Sequence, residues 1–465
     1  MVGMAADADR RGQILDREHR GLTAGVILSI TAVAFEGLAV TTIAPAIAGE
    51  LRGLPLYGWI FSAYLLAQIV GTVVAGQVVD RRGPALPAAV ALLTFGAGLL
   101  LAALAPTMPL LIAARALQGL GAGGLGNCAY ASITLRYDDH LRPSMLAIVS
   151  SAYIVPSMIG PFLAGLLAEQ FSWRAVFWVL LPILAISAAL TLPAYRGTPA
   201  EGAGSARDRL PLALGLAIGT GILLAGLGQL PAPLGILLAL GGLALAIVPL
   251  RRLAPPGTLL ARHGLPAAIA TRGLFVAAYF AADTYLVLAL TALHGASASA
   301  AGLVIASGSL VWTACAWLQA RLDARDDGRG RAGRIRLGVT GLLLGALGMA
   351  TVPWLGGGAL AVGLAAHFLA GMGMGLAHPS VGAFAFARAG VGEAGTVSAA
   401  ILLADAFTPA VAIGAGGAII GAGAVLGWPE GYTIAAALTL SVPLLALALL
   451  AALRLEARGE ARRES

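Results

Sequence analysis

The sequence predicts an all-α integral membrane protein of about fourteen spanning helices, and three observations carry that prediction. Only 11% of its 465 residues are charged while 59% are apolar, with a mean hydropathy of +0.89; a soluble domain of this size needs far more charged surface. Apolar runs of 18 to 25 residues recur from Leu22 to Leu453, each long enough to cross about 30 Å of hydrocarbon. Basic residues gather in alternate gaps between those runs. A segment in lipid must satisfy each backbone N–H and C=O internally, so the runs are helices.

In chain order the spans fall at 22–47, 58–79, 85–105, 109–134, 145–168, 175–193, 210–228, 234–250, 266–292, 300–320, 336–355, 358–386, 396–424 and 431–453. The seventh and eighth are close to the minimum length, with Pro231 and Pro233 marking the turn between them. If that pair lay on the surface, the number would fall to twelve. Abundant glycine (63 residues) without a collagen-like period suits a bundle whose helix backbones approach closely.

Arginine placement tests this map. All 29 basic residues are Arg. Of these, 25 fall on alternate loops beginning with the N-terminal segment, and only Arg52 and Arg174 on the opposite loops. Arg115 and Arg272 lie within spans. The positive-inside rule then places both termini in the cytoplasm and requires an even number of crossings. The lack of lysine suggests a genome rich in G and C, hence a bacterial cytoplasmic membrane.

The formal charge of +7 could mark a nucleic-acid binder, but the dispersed arginines are explained by the bilayer, and no nucleic-acid partner is expected. Cys128 and Cys315 sit inside apolar runs and read as small buried hydrophobes. No metal-ligand spacing or cofactor motif is present. There is also no H-E-x-x-H, Asp-rich metal pair or G-x-S-x-G, so an intramembrane enzyme is not expected. The apolar run after the polar first 21 residues is too long for a signal-peptide core, and no cleavage is expected. Among the linkers, 194–209 is rich in Pro, Gly and Ala and 321–335 in Arg, Asp and Gly.

Four segments carry a recognisable pattern. The loop after the second span reads Gly76-Gln77-Val78-Val79-Asp80-Arg81-Arg82-Gly83, with a degraded copy, Gln319-Ala320-Arg321-Leu322-Asp323-Ala324-Arg325, after the tenth. The fourth span contains Leu111 to Gly121 around Arg115 and Gln118. The fifth contains Val155-Pro156-Ser157-Met158-Ile159-Gly160-Pro161-Phe162-Leu163-Ala164-Gly165, and the sixth opens on Ser172-Trp173-Arg174. In order and spacing these resemble the G-x-x-x-D-R-x-G loop, the helix-4 motif, the helix-5 antiporter motif and the helix-6 start of the major facilitator superfamily. Gly371-Met372-Gly373-Met374-Gly375-Leu376-Ala377-His378-Pro379 is similar to the fourth helix of that family's second half.

The resemblance implies two six-helix bundles plus two extra central helices, as in the fourteen-helix drug:proton antiporter branch. It divides the chain into a cytoplasmic tail (1–21), an N-terminal bundle (22–193), a linker with two additional helices (194–262), a C-terminal bundle (263–453) and a second tail (454–465). It implies alternating access, a small-molecule substrate, protons as coupling ions, no cofactor and a monomer in the bilayer. The chain departs from the branch in having Glu36, not Asp, nine residues before Pro45, with no Asn between them, and in Pro84-Ala85-Leu86 where basic residues usually trail the loop motif.

A charge near mid-membrane costs at least about 2.5–3.5 kcal/mol, so it needs a partner, a water cavity or a proton. Glu36, midway along the first span, is read as a proton-coupling site, with a structural hydrogen bond as the alternative. By resemblance Arg115 is its partner in proton transfer; the alternative is an interhelical brace. Asp283, in the counterpart of the first helix, and Asp405, in the thirteenth span, are further candidates for proton or cation binding, and Asp405 also reads as a brace. Gln118 and His378 are candidates for the substrate cavity, with packing as the alternative. Arg272 is expected to snorkel; His367 and His378 could titrate, with a satisfied structural histidine as the alternative reading. Gly76, Asp80, Arg81 and Gly83 are expected to form an inner gate, Asp80 meeting the N-terminus of the thirteenth helix. Pro156, Gly160, Pro161 and Gly165 would bend the fifth helix and smooth the face where the halves meet.

Overall fold

A computed structural model describes residues 20–138, 140–196, 209–390 and 393–455. The two tails, most of the 194–209 linker and the start of the thirteenth span's approach (391–392) lie outside the described residues. The helices are α1 Arg20–Glu50, α2 Trp59–Arg82, α3 Ala85–Ala103, α4 Met108–Arg136, α5 in two pieces (Arg142–Ser151 and Ile154–Gln170), α6 Arg174–Tyr195, α7 Arg209–Leu227, α8 Pro233–Leu253, α9 Leu265–His294, α10 Ala298–Arg325, α11 Arg331–Thr351, α12 Ala359–Ala387, α13 Ala394–Leu426 and α14 in two pieces (Glu430–Thr439 and Ser441–Ala452).

Among the described residues twelve helices are long and apolar enough to cross a membrane. The two expected spans outside that set are α4 and α5, both helical. α4 carries Arg115, Gln118, Asn127 and Arg136 along its length, and it tolerates them because it packs between α2, α3 and α1 rather than against lipid. α5 is interrupted at Ala152-Tyr153. Pro156 has no N–H to give the Ala152 carbonyl, so the helix restarts with Pro156 in its first turn. The interruption of α14 at Leu440 follows the same rule: Pro443 lies four residues beyond Thr439.

The pairings of α1 to α6 recur in α9 to α14. α4 packs on α2 and α3 as α12 packs on α10 and α11, and α1 packs on α5 and α6 as α9 packs on α13 and α14. Glycine makes this possible. A side chain at Gly71, Gly119 or Gly123 would land on the backbone of the facing helix in the α2–α4 crossing, and one at Gly371 would do so in the α10–α12 crossing. Close backbone approach of this kind replaces the hydrophobic drive that lipid removes. α9 is the most enclosed helix, with 89% of its apolar window buried, against 22% for α8. The α7–α8 hairpin lies outside the repeat, and α7 rests on α2 and α13, across the seam between the halves.

The halves meet through α5–α10, α2–α13 and α1–α9. Three hydrogen-bonded contacts across the seam lie at one end, that of the 51–58 and 295–297 turns. Glu169 accepts from the Ser299 amide at 2.7 Å and its hydroxyl at 3.1 Å. The Tyr57 hydroxyl donates to the Thr284 carbonyl at 3.2 Å, and Ser62 donates to the Ala410 carbonyl at 2.8 Å. On the same side Glu50 ties α1 to α6, accepting from Trp173 at 2.7 Å and pairing with Arg174, which also donates to the Ala105 carbonyl at 2.9 Å.

Candidate functional site: three buried ionic clusters

The first cluster joins α1 and α4. Glu36 is fully buried and forms an ion pair with Arg115, itself 2% exposed. The guanidinium spends its remaining donors well: Nε donates to the Ile60 carbonyl at 2.8 Å, Nη1 also to Gln118 Oε1 at 2.6 Å, and its face lies 4.3 Å from the Tyr64 ring centroid. Planar guanidinium chemistry suits this fork-and-stack arrangement. Glu36 Oε2 and Gln118 Nε2 are buried without a hydrogen-bond partner. The structure therefore brings together Glu36, Arg115 and Gln118. Gln118 lies in the ionic cluster, fully buried, rather than on an open cavity wall.

The second cluster joins α9 and α12. His367 Nε2 lies 2.6 Å from Asp283 Oδ1; the histidine is fully buried and its Nδ1 has no partner. The Tyr279 ring sits 5.7 Å from the imidazole. The expected acid, Asp283, thus has a histidine partner on α12 that the sequence did not pair with it.

The third cluster joins α9, α12 and α13. Arg272 donates to both oxygens of Asp405, at 2.8 and 2.7 Å, to the His378 carbonyl at 2.9 Å, and meets His378 Nε2 at 2.8 Å. Its expected snorkelling is overturned: Arg272 is 5% exposed, because a bidentate carboxylate on α13 satisfies it inside the bundle. Asp405 and His378 stay about 30% and 28% exposed. Trp312 and Phe275 flank His378 at 5.4 and 6.4 Å.

The loop motif is placed differently. Gly83 caps α2 with φ 74°, its amide bonded to the Val79 carbonyl at 2.8 Å; that left-handed φ is why glycine stands there. Gly76 leaves room for Asn127, Asp80 is half-buried, and Arg81 and Arg82 are exposed. Among the described residues Asp80 makes no hydrogen bond or ion pair, so the expected contact with the start of α13 is not formed in this state. The degraded copy folds differently again: Asp323 and Asp326 accept from Arg331 and Arg334 and fold the α10–α11 linker into an ion-paired turn. In α5, Gly160 faces Phe35 of α1, and Gly165 faces the backbone at Ala298 and Ser299 of α10.

A helical membrane protein with two repeated six-helix sets and a hairpin between them has the internal repeat found in secondary transporters. The chain belongs to the Major Facilitator Superfamily, whose family model matches residues 25–413. It is 31% identical over 192 residues to an aspyridones efflux protein of Neocamarosporium betae, an alignment covering 41% of this chain and 34% of that one. The chain thus spans about a third of the length of that relative. A probable multidrug-efflux transporter of Mycobacterium tuberculosis is 27% identical over 393 residues, covering 81% and 82% of the two chains. An auto-inhibited POT family peptide transporter superposes with a TM-score of 0.64 over 95% of this chain and 97% of its own, at 15% identity; that likeness concerns the fold alone.

Proposed function

We propose that the chain is a proton-coupled antiporter that exports amphipathic or lipophilic small molecules by alternating access. The observation that carries this reading is the Glu36–Arg115 pair, sealed between the first and fourth helices of a superfamily transporter whose relatives include efflux proteins. An ionisable pair in oil is tolerated where charge must move. With its carboxylate ionised the pair is neutral; a proton on Glu36 frees Arg115, and the two states favour different packings of α1 and α4. Substrate and proton shift the balance of inward and outward states only through such differential contacts.

In this reading the chain crosses a bacterial cytoplasmic membrane fourteen times as a monomer, α4, α5 and the α7–α8 hairpin included, with both ends cytoplasmic. The hydrogen-bonded end of the seam is then external, and the state described is inward-facing. Asp80, Arg81 and Gly83 act as the inner gate that engages α13 when the transporter turns outward. The Pro156–Gly165 face of α5 keeps the outer seal tight. Asp405 serves as a brace for Arg272, and Asp283 pairs with His367.

The alternative is a dedicated exporter of one lipid or metabolite on the same fold; a pocket of about 660 Å³ lies beside α7 at the hydrogen-bonded end. Leu56, Trp59, Ile112, Leu224, Gln229 and Val425 line it. Purified protein in proteoliposomes with an imposed pH gradient separates the two. Competition among chemically diverse dyes fits multidrug export, and one tight competitor fits the dedicated exporter. No gradient-driven flux of any compound would overturn both.

A further inference from the structure

The two halves use one register with different chemistry. α4 reads Ala113-Ala114-Arg115 followed by Gly119, Gly121 and Gly123; α12 reads Ala365-Ala366-His367 followed by Gly371, Gly373 and Gly375. The spacing is identical, and so is the packing: Gly119 lies over the Tyr64 carbonyl of α2 and Gly371 over the Gly308 carbonyl of α10. His367 therefore holds Arg115's place. The acids sit at similar depth, Glu36 as the seventeenth residue of α1 and Asp283 as the nineteenth of α9, two positions apart in register. Each pair leaves one buried polar atom unpartnered, Glu36 Oε2 and His367 Nδ1.

The difference lies in the base. A guanidinium keeps its proton throughout, whereas an imidazole gains and loses one near neutral pH. The surroundings differ in the same sense. Tyr64 covers the Arg115 guanidinium; its counterpart is Gly308, where any side chain would strike the imidazole at Cε1 and Nδ1. Gly308 thus makes the room that the imidazole occupies, with the unpartnered nitrogen against its backbone.

We infer that Asp283 and His367 form a second proton-binding site, loaded and emptied separately from Glu36. The inference deepens the proton-coupled reading given above and rests on it for its role in transport. The proton enters at the imidazole, making the pair a neutral Asp⁻–His⁺ ion pair, and its loss leaves a net charge of −1. From α9 the groups facing His367 are Asp283 and Tyr279; α10 presents Gly308, and α11 presents Gly345 and Gly348 beside the adjoining Ala366. No other charged side chain among the described residues bonds to His367.

The test is a pH titration of the full-length protein in lipid nanodiscs, with ¹³C/¹⁵N-labelled histidine read by NMR. Six histidines are present. The His367 signal is assigned by its absence in His367→Gln or, should that variant not fold, by its shift in Tyr279→Phe, since the Tyr279 ring lies 5.7 Å from the imidazole. It is expected to pass between neutral and charged forms between pH 5 and 9. A signal fixed in one form across that range overturns the inference. A second arm uses ethidium in proteoliposomes. His367→Arg is expected to lower the ratio of pH-gradient-driven flux to ethidium counterflow, which needs no net proton movement, at least tenfold. An undiminished ratio overturns the inference. If wild type carries no ethidium in either mode, the export reading fails, and the titration alone still decides whether His367 binds a proton.

Discussion

Removing Glu36 and Arg115 singly and together gives the sharpest energetic prediction. Glu36→Gln leaves a buried guanidinium that still donates to Ile60 and Gln118 at 2.8 and 2.6 Å. Breaking a buried pair costs about 3–5 kcal/mol, and those surviving bonds put this variant near about 3 kcal/mol. Arg115→Met strands a carboxylate whose Oε2 already lacks a partner, so it belongs near the upper end, about 5 kcal/mol. Glu36→Gln/Arg115→Met removes both charges and fills the space, and such replacements are near neutral; about 1–2 kcal/mol is expected, mostly from Gln118. The cycle then shows a coupling of about 6–7 kcal/mol, above the usual range of about 0.5–3 kcal/mol for residues in contact because each single variant strands a buried charge. Reversible unfolding in mixed micelles measures it, with ethidium flux in proteoliposomes run in parallel. All three variants should lose gradient-driven flux, the double variant despite its recovered stability. Costs that add to within about 0.5 kcal/mol, or a double variant that transports, would refute the reasoning.

Three more outcomes follow from other contacts. A Cβ at Gly165 would lie 2.5–2.6 Å from the backbone of Ala298 and Ser299; Gly165→Leu should force α5 from α10, lengthening spin-label distances across the Glu169–Ser299 end and favouring the outward-open state. Asp405→Asn should cost about 2 kcal/mol by removing charge-assisted bonds to Arg272 yet retain pH-gradient-driven transport, which separates a brace from a proton site. In the α10–α11 linker, the Arg334 hydrogen bond holds the Asp326 carboxyl below its usual range. Its contribution is present above the ordinary carboxyl pKa of about 3.9 and is lost as pH falls through the lowered value, so hydrogen exchange in residues 326–331 should accelerate only on strong acidification.

Much of the fold is written in the chain because lipid thickness fixes the length of an apolar run. The expected span 22–47 became Arg20–Glu50, and 266–292 became Leu265–His294. The span at 300–320 runs on to Arg325 because Asp323 finds Arg331 and Arg334 beyond the membrane edge, a pairing that hydropathy does not encode. α4 shows the reverse: its polar residues lower its hydropathy, and its register around Arg115 identifies it better than its apolar content does. The break in α5 was legible at Pro156. Arg272 was misread because its partner, Asp405, is 133 residues away on a helix whose rotation the sequence leaves open. The pairing of His367 with Asp283 was not legible for a related reason. A lone histidine on an apolar helix reads as packing until Arg115 and the three glycines after it are laid over the second half.

The most direct measurement of the central claim is proton movement itself. Proteoliposomes loaded with a pH-sensitive dye and holding a pre-formed pH gradient receive ethidium as the transported cation. The account predicts that wild type dissipates the gradient as ethidium moves and that Glu36→Gln, folded by its unfolding profile, does not. Ethidium movement with no accompanying proton flux in wild type, or an undiminished proton flux in Glu36→Gln, would contradict it.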